Sequence, residues 1–290
     1  MDAPPIQTTL PVNGVNLAVY EWPGEGPPVL LAHANSFHAR CWDAVVAALP
    51  GRRCIAFDQR GHGRSDKPAP PYRWPAFGED LAALARALGL RGAIGVGHSL
   101  GGYATALAAA RAPEAFAALL LVDPVILPRA RYGHRLEGEH FAARRRNRWA
   151  SPAAMYERFR DREPFRRWQP RVLRDYCEHG LLPAPDGDGL VLACPPAVEA
   201  DIYAGASETD IYPEIATVRV PVVVLRGFPS QVNPAENLSA SPTAPDLAAH
   251  FPHGRDVLLR EQSHFIPMEV PEVVAAWVRE LAEASEGRGG

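Results

Sequence analysis

Ile94-Gly95-Val96-Gly97-His98-Ser99-Leu100-Gly101-Gly102 is the stretch whose reading decides the fold. Within it, Gly97-His98-Ser99-Leu100-Gly101 fits the pattern G-x-S-x-G. An apolar strand pattern over residues 93–96 runs straight into it, and a helix of small residues over 100–111 leaves it. The two glycines make room for a sharp strand-to-helix turn that lifts the serine hydroxyl over the sheet edge. That turn also aims the first turn of the following helix at the serine, an arrangement that favours an anionic intermediate.

Outward from this point the chain alternates strand and helix patterns. Residues 6–12 and 15–20 flank Asn13-Gly14, a dipeptide suited to a tight hairpin turn. Short strands apolar along their whole length are expected at 29–32, 54–57, 93–96 and 118–122, with helices at 43–49, 76–88 and 100–111. Such strands with helices between them predict an α/β fold whose mostly parallel sheet is covered on both faces. After Pro124 the rhythm changes: residues 125–212 lose the buried strands and read as helical, arginine-rich and punctuated by proline. Ser151-Pro152 offers an N-cap and a first-turn proline, and residues 170–179 form a further helix stopped by Gly180. The sheet pattern resumes at 220–225 and 256–259, with helices near 244–250 and over 272–284. The simplest organisation is a core of residues 1–124 and 213–290 interrupted by a helical cap, residues 125–212.

Composition narrows the function classes. The 290 residues are 47% apolar and 22% charged, as in an ordinary soluble globular protein. Thirty basic against 33 acidic residues leave a net charge of −3, with no general attraction to nucleic acid or an anionic membrane. No apolar run approaches the roughly 18 residues of a membrane span, and the first ten residues do not read as a signal peptide. Cys41, Cys54, Cys177 and Cys194 show no metal spacing and read as buried, reduced residues of a cytoplasmic protein. Fourteen arginines against six acids between residues 129 and 175 form either a solvated face or a positive rim that steers acidic substrates.

Four landmarks in chain order carry a likeness to a known family. His33-Ala34-Asn35 follows the third strand pattern. Asp58-Gln59-Arg60-Gly61-His62-Gly63-Arg64-Ser65 follows the fourth, Gly97–Gly102 is the serine turn, and Ser263-His264-Phe265-Ile266-Pro267 precedes the last helix. With these the chain resembles the α/β-hydrolase fold superfamily, in its serine-nucleophile branch, over nearly its full length. The resemblance implies a Ser–His–acid triad, a lid inserted after the sixth strand and no cofactor or metal.

A serine hydroxyl needs an adjacent base to attack at neutral pH, and histidine, with an unperturbed pKa near 6.5, is the usual one. Of ten histidines, His264 alone follows the last strand in an irregular loop able to fold back over the sheet edge, so Ser99 and His264 are the expected nucleophile and base. His98 should point away from Ser99 and support its surroundings, while His62 and Arg60 hold loops together. The oxyanion hole should combine the backbone N–H of Leu100 with one from the His33–Asn35 loop, assigned to Asn35 by matching position. The Asn35 side-chain amide is a possible extra donor. The acid stays open. The family usually places an aspartate within a few residues of Arg226-Gly227, where this chain reads Phe228-Pro229-Ser230-Gln231-Val232-Asn233. Asp123, at the end of the sixth strand, is the first candidate; Glu236 is the alternative and Asp246 a third.

These residues predict a carboxylic ester hydrolase working through an acyl-enzyme on a small-molecule ester, as a monomer or homodimer. The same machinery serves carbon–carbon, lactone or amide hydrolysis and perhydrolysis, and some members of the fold only bind ligands. Trp149, Phe159, Phe165, Trp168 and Tyr203 of the cap are expected either in its core or on the pocket wall.

Overall fold

A computed structural model describes residues 4–136, 138, 140–228 and 238–287. Its main sheet has eight strands: β1 Ile6–Val12, β2 Val15–Trp22, β3 Glu25–Ala32, β4 Arg52–Phe57, β5 Ala93–His98, β6 Phe116–Val122, and, after three short strands described below, β10 Val222–Arg226 and β11 Gly254–Leu258. The spatial order is β1-β2-β4-β3-β5-β6-β10-β11, antiparallel at β1–β2–β4 and parallel from β4 to β11. Parallel strands need covered crossovers. These are helices α1 Asp43–Ala47, α2 Trp74–Ala87 and α3 Leu100–Arg111, with α9 Pro271–Glu286 closing the chain.

The continuous apolar runs are explained by burial on both faces. Leu30 points into the cluster that contains Phe77, Leu81, Tyr103 and Leu107 of α2 and α3. Its neighbour Leu31 points into the opposite cluster, with Val45 of α1 and Val274 and Val278 of α9. Neither leucine is more than 1% exposed. At roughly 2 kcal/mol for each fully buried aliphatic side chain, these two layers fix which ends of the strands share an edge, and hence where the loops after β3, β5 and β6 meet.

A cap region is inserted after β6. It holds α4 Pro152–Phe159, α5 Pro170–His179 and α6 Pro196–Ala204, followed by α7 Tyr212–Ile215. The expected Ser151 cap forms: its side chain accepts the Ala154 N–H, a contact worth about 1 kcal/mol. The helical cap also carries strands that the sequence did not announce. Residues 125–212 are not wholly helical, because β7 Arg148–Trp149, β8 Leu181–Pro183 and β9 Leu190–Leu192 form a small antiparallel sheet in the order β7-β9-β8. Two- and three-residue strands are too short to write an alternating pattern into the sequence. A third apolar cluster joins Trp149, Trp168 and Tyr176 of the cap to Phe37 and Phe265 of the core loops, so the cap sits over the edge that carries Ser99.

The expected helix near 244–250 is only a 3-10 turn, Leu247–His250. All four cysteines are free and buried. Among the described residues no helix is long and apolar enough to cross a membrane.

Candidate active site

Ser99 sits between β5 and α3 with φ 57° and ψ −117°, a conformation that costs of order 1–3 kcal/mol for a non-glycine residue. The surroundings impose it. Its N–H donates to Val122 O at 3.1 Å, and its carbonyl accepts Gly102 N–H and Val125 N–H at 3.0 Å each. Both flanking glycines are sterically required. A Cβ on Gly97 would lie 2.2 Å from Gly101 O, and one on Gly101 would lie 2.1 Å from Ala32 O. The strand and helix therefore approach too closely for any side chain, and the serine is pushed out at the turn.

His264 lies in the loop between β11 and α8 Ile266–Glu269. Its Nε2 is 3.1 Å from Ser99 Oγ and its Nδ1 is 2.6 Å from Asp123 Oδ2. Two contacts hold the ring's backbone. His264 N–H donates to Ser239 O at 2.8 Å, and the His98 ring approaches His264 O through Nε2 at 2.8 Å. Burial, reinforced by His264, drives the His98 pKa well down, so His98 is a neutral ring whose Nε2–H donates to that carbonyl. Its ring is thereby committed to the His264 backbone. Next to it, the Ser263 hydroxyl donates to Glu269, and Arg167 of the cap ties Glu269 from outside at 2.9 Å.

Asp123 follows β6 with φ 44° and is 0% exposed. Its Oδ1 accepts Gly227 N–H at 2.9 Å and the Ser241 hydroxyl at 2.6 Å, leaving Oδ2 for His264. Thus the loop after β10, which lacks a carboxylate next to Gly227, supplies donors to a carboxylate on the neighbouring strand. Nothing in the local sequence marked Gly227 or Ser241 for this. Of the other acids considered, Asp246 is exposed and contacts His250 at 3.4 Å, and Glu236 lies outside the described residues.

Asn35 lines the cavity over Ser99 and Leu100 directly follows that serine; among the described residues neither backbone N–H has a protein acceptor. The Asn35 side chain also reaches the cap: Nδ2 donates to the Glu199 carbonyl of α6 at 3.1 Å. One of its two N–H groups thus ties the loop to the cap, and Glu199 is itself paired with Arg145, which donates to Tyr176 Oη at 3.0 Å. His62 does hold loops, accepting Ser36 N–H at 3.0 Å, and Arg60 pairs with Asp80.

A cavity of about 150 Å³ opens over Ser99 and His264. Phe37, Leu127, Leu136, Leu238 and Phe265 make much of its wall. Of the five cap aromatics, Tyr203 lines it, while Trp149, Phe159, Phe165 and Trp168 belong to the third apolar cluster.

Comparison with known proteins agrees with this fold. Residues 29–277 match the model of the alpha/beta hydrolase family. A non-heme chloroperoxidase of Streptomyces lividans is 33% identical over 83% of this chain and 91% of its own length. A 2-(acetamidomethylene)succinate hydrolase of Mesorhizobium japonicum is 30% identical over 85% of this chain and 87% of its own. The crystal structure of E-2-(acetamidomethylene)succinate hydrolase superposes with a TM-score of 0.76 at 25% identity, covering 96% of this chain and 99% of the other. This chain is an enzyme, and it belongs to the alpha/beta hydrolase family.

Proposed function

We propose that the protein hydrolyses small carboxylic esters through an acyl-enzyme on Ser99. The observation that carries the reading is the unbroken hydrogen-bonded series Ser99 Oγ, His264 Nε2 and Nδ1, Asp123 Oδ2 at 3.1 and 2.6 Å. His264 Nε2 takes the serine proton as Oγ bonds to the ester carbonyl carbon, and the carbonyl π electrons move onto oxygen. The backbone N–H groups of Leu100 and Asn35 receive that oxyanion, each such donor being worth about 3 kcal/mol in the transition state. Collapse expels the alkoxide, which takes the proton from His264. Water, deprotonated in turn by His264, then attacks the acyl-enzyme and releases the carboxylic acid and free Ser99. Asp123 keeps the Nδ1–H tautomer in place and stabilises the imidazolium. Residues 125–212 act as the lid, excluding water and closing the apolar wall. A cavity of about 150 Å³, the size that holds one benzene ring in an engineered core, selects short acyl or alcohol groups.

A fluorophosphonate probe tests this. It should label Ser99 alone, and Ser99→Ala should abolish both labelling and turnover of short-chain esters. A folded wild-type protein that neither labels nor hydrolyses any ester of a graded series would overturn the reading.

A further inference from the structure

We propose that the preferred substrates are small esters bearing a free carboxylate, which Arg131 binds at the cavity wall while the ester carbonyl meets Ser99. This rests on the ester-hydrolase reading above and narrows it to a substrate class. The arginine-rich cap first looks like a general positive field, but at least half of those fourteen arginines, Arg160 with Glu157 among them, are already paired. Arg135 is paired with Asp201 and Glu208, Arg145 with Glu199, Arg148 with Asp186, Arg166 with Glu163 and Arg167 with Glu269. Even Arg129, two residues before Arg131 in the same 3-10 turn, is held by Asp210 at 3.1 Å. Arg131 has no such partner among the described residues, and it alone of these arginines lines the cavity over Ser99.

The polar groups beside it have the same bias. His140 Nδ1 accepts the Ala142 N–H at 3.3 Å, so the neutral ring carries its proton on Nε2, a donor without a protein acceptor among the described residues. The Tyr203 hydroxyl, on the ring stacked against His140 with centroids 4.5 Å apart, is likewise unpartnered there. Both line the cavity, and no carboxylate among the described residues does. A wall with an unpaired guanidinium and two spare donors, facing apolar surface and a nucleophile, is complementary to an anion on a short apolar stem. A guanidinium in this setting discriminates through binding of a charged group, so the preference should appear chiefly in KM.

The test compares monomethyl glutarate with its neutral isostere, methyl glutaramate, and 3-acetoxypropanoate with its amide, which moves the carboxylate to the alcohol side. In at least one pair kcat/KM should favour the carboxylate by about tenfold, and added salt should erode the preference. Arg131→Gln should bring that ratio close to one, whereas Arg129→Gln, which removes the same charge outside the cavity, should leave it intact. Equal or lower rates for both carboxylates in the wild type would overturn the inference, as would a preference that survives Arg131→Gln. Ser99-dependent turnover of the neutral isosteres without charge preference would sink only this inference; absence of Ser99-dependent turnover of every ester would sink the underlying reading too.

Discussion

Two aspartates end strands of the same sheet and are equally hidden, Asp58 after β4 at 1% exposure and Asp123 after β6 at 0%. Their surroundings divide them. Among the described residues Asp58 accepts from fixed donors: Ala39 N–H at 2.8 Å, Arg64 N–H at 2.9 Å and the Tyr20 hydroxyl at 3.1 Å. Burial and Asp58 together push the Tyr20 pKa up, so that phenol remains a donor. Asp123 reserves one oxygen for backbone and hydroxyl donors and gives the other to an imidazole whose far nitrogen meets a serine. A buried carboxylate at a strand end is therefore not a catalytic signature. What matters is whether one of its partners can pass a proton on.

Exchanging each acid for its amide should separate the two. In Asp123→Asn the amide oxygen can still accept from Gly227 and Ser241, but the NH2 group faces His264 Nδ1 and favours the wrong tautomer. Ester kcat should fall by roughly 10⁴, with the denaturation midpoint changed much less. Asp58→Asn should do the reverse: an NH2 group must face an N–H or hydroxyl donor, at a cost of about 3 kcal/mol of stability. Its folded fraction should keep turnover within about tenfold of wild type. Urea denaturation and ester hydrolysis on both variants decide the matter, and a catalytic collapse in Asp58→Asn or normal turnover in Asp123→Asn would erase the contrast.

The same contrast shows what could be read from sequence. The serine turn was legible because its glycines and apolar strand are contiguous, and α5 was legible down to its ends, Pro170–His179, because proline and glycine bracket it. Which carboxylate meets His264 was not. Asp123 and Glu236 both fit the chain order, and the donors that surround Asp123 come from Gly227 and Ser241, 104 and 118 positions away. Asn35 gives a similar lesson: position pointed to its backbone N–H, but only folding reveals that its amide donates to Glu199, 164 positions on. The cap's small sheet escaped for a different reason, since strands of two or three residues depend on tertiary contacts and carry no period of their own. Local geometry is written locally; long-range polar partnerships are not.

Histidines sharpen the comparison by a smaller margin. His33 and His62, beside the Asp58 loop, have their pKa values pushed down to about 3, in each case mainly by burial. Each is locked as a neutral ring: His33 Nε2 accepts Gln59 N–H and His62 Nε2 accepts Ser36 N–H, both at 3.0 Å. His98 shifts in the same direction. Between about pH 6.5 and 3 the unfolded chain binds protons on these rings that the folded chain refuses, so stability present at neutral pH is lost as pH falls. Each ring contributes at most about 1.4 kcal/mol per pH unit. Asp175 works against one of them: burial, and then Asp43, raise it to about 6, so below that pH the folded chain holds a proton the unfolded chain does not. His62→Gln keeps an acceptor for Ser36 N–H but cannot titrate, and it should flatten the slope of unfolding free energy between pH 6 and 5 by about 1.4 kcal/mol per unit. Urea titrations at pH 7, 6 and 5 measure this; an unchanged slope would mean that His62 is protonated in the folded protein and that its loop is not the inert counterpart of the His264 loop.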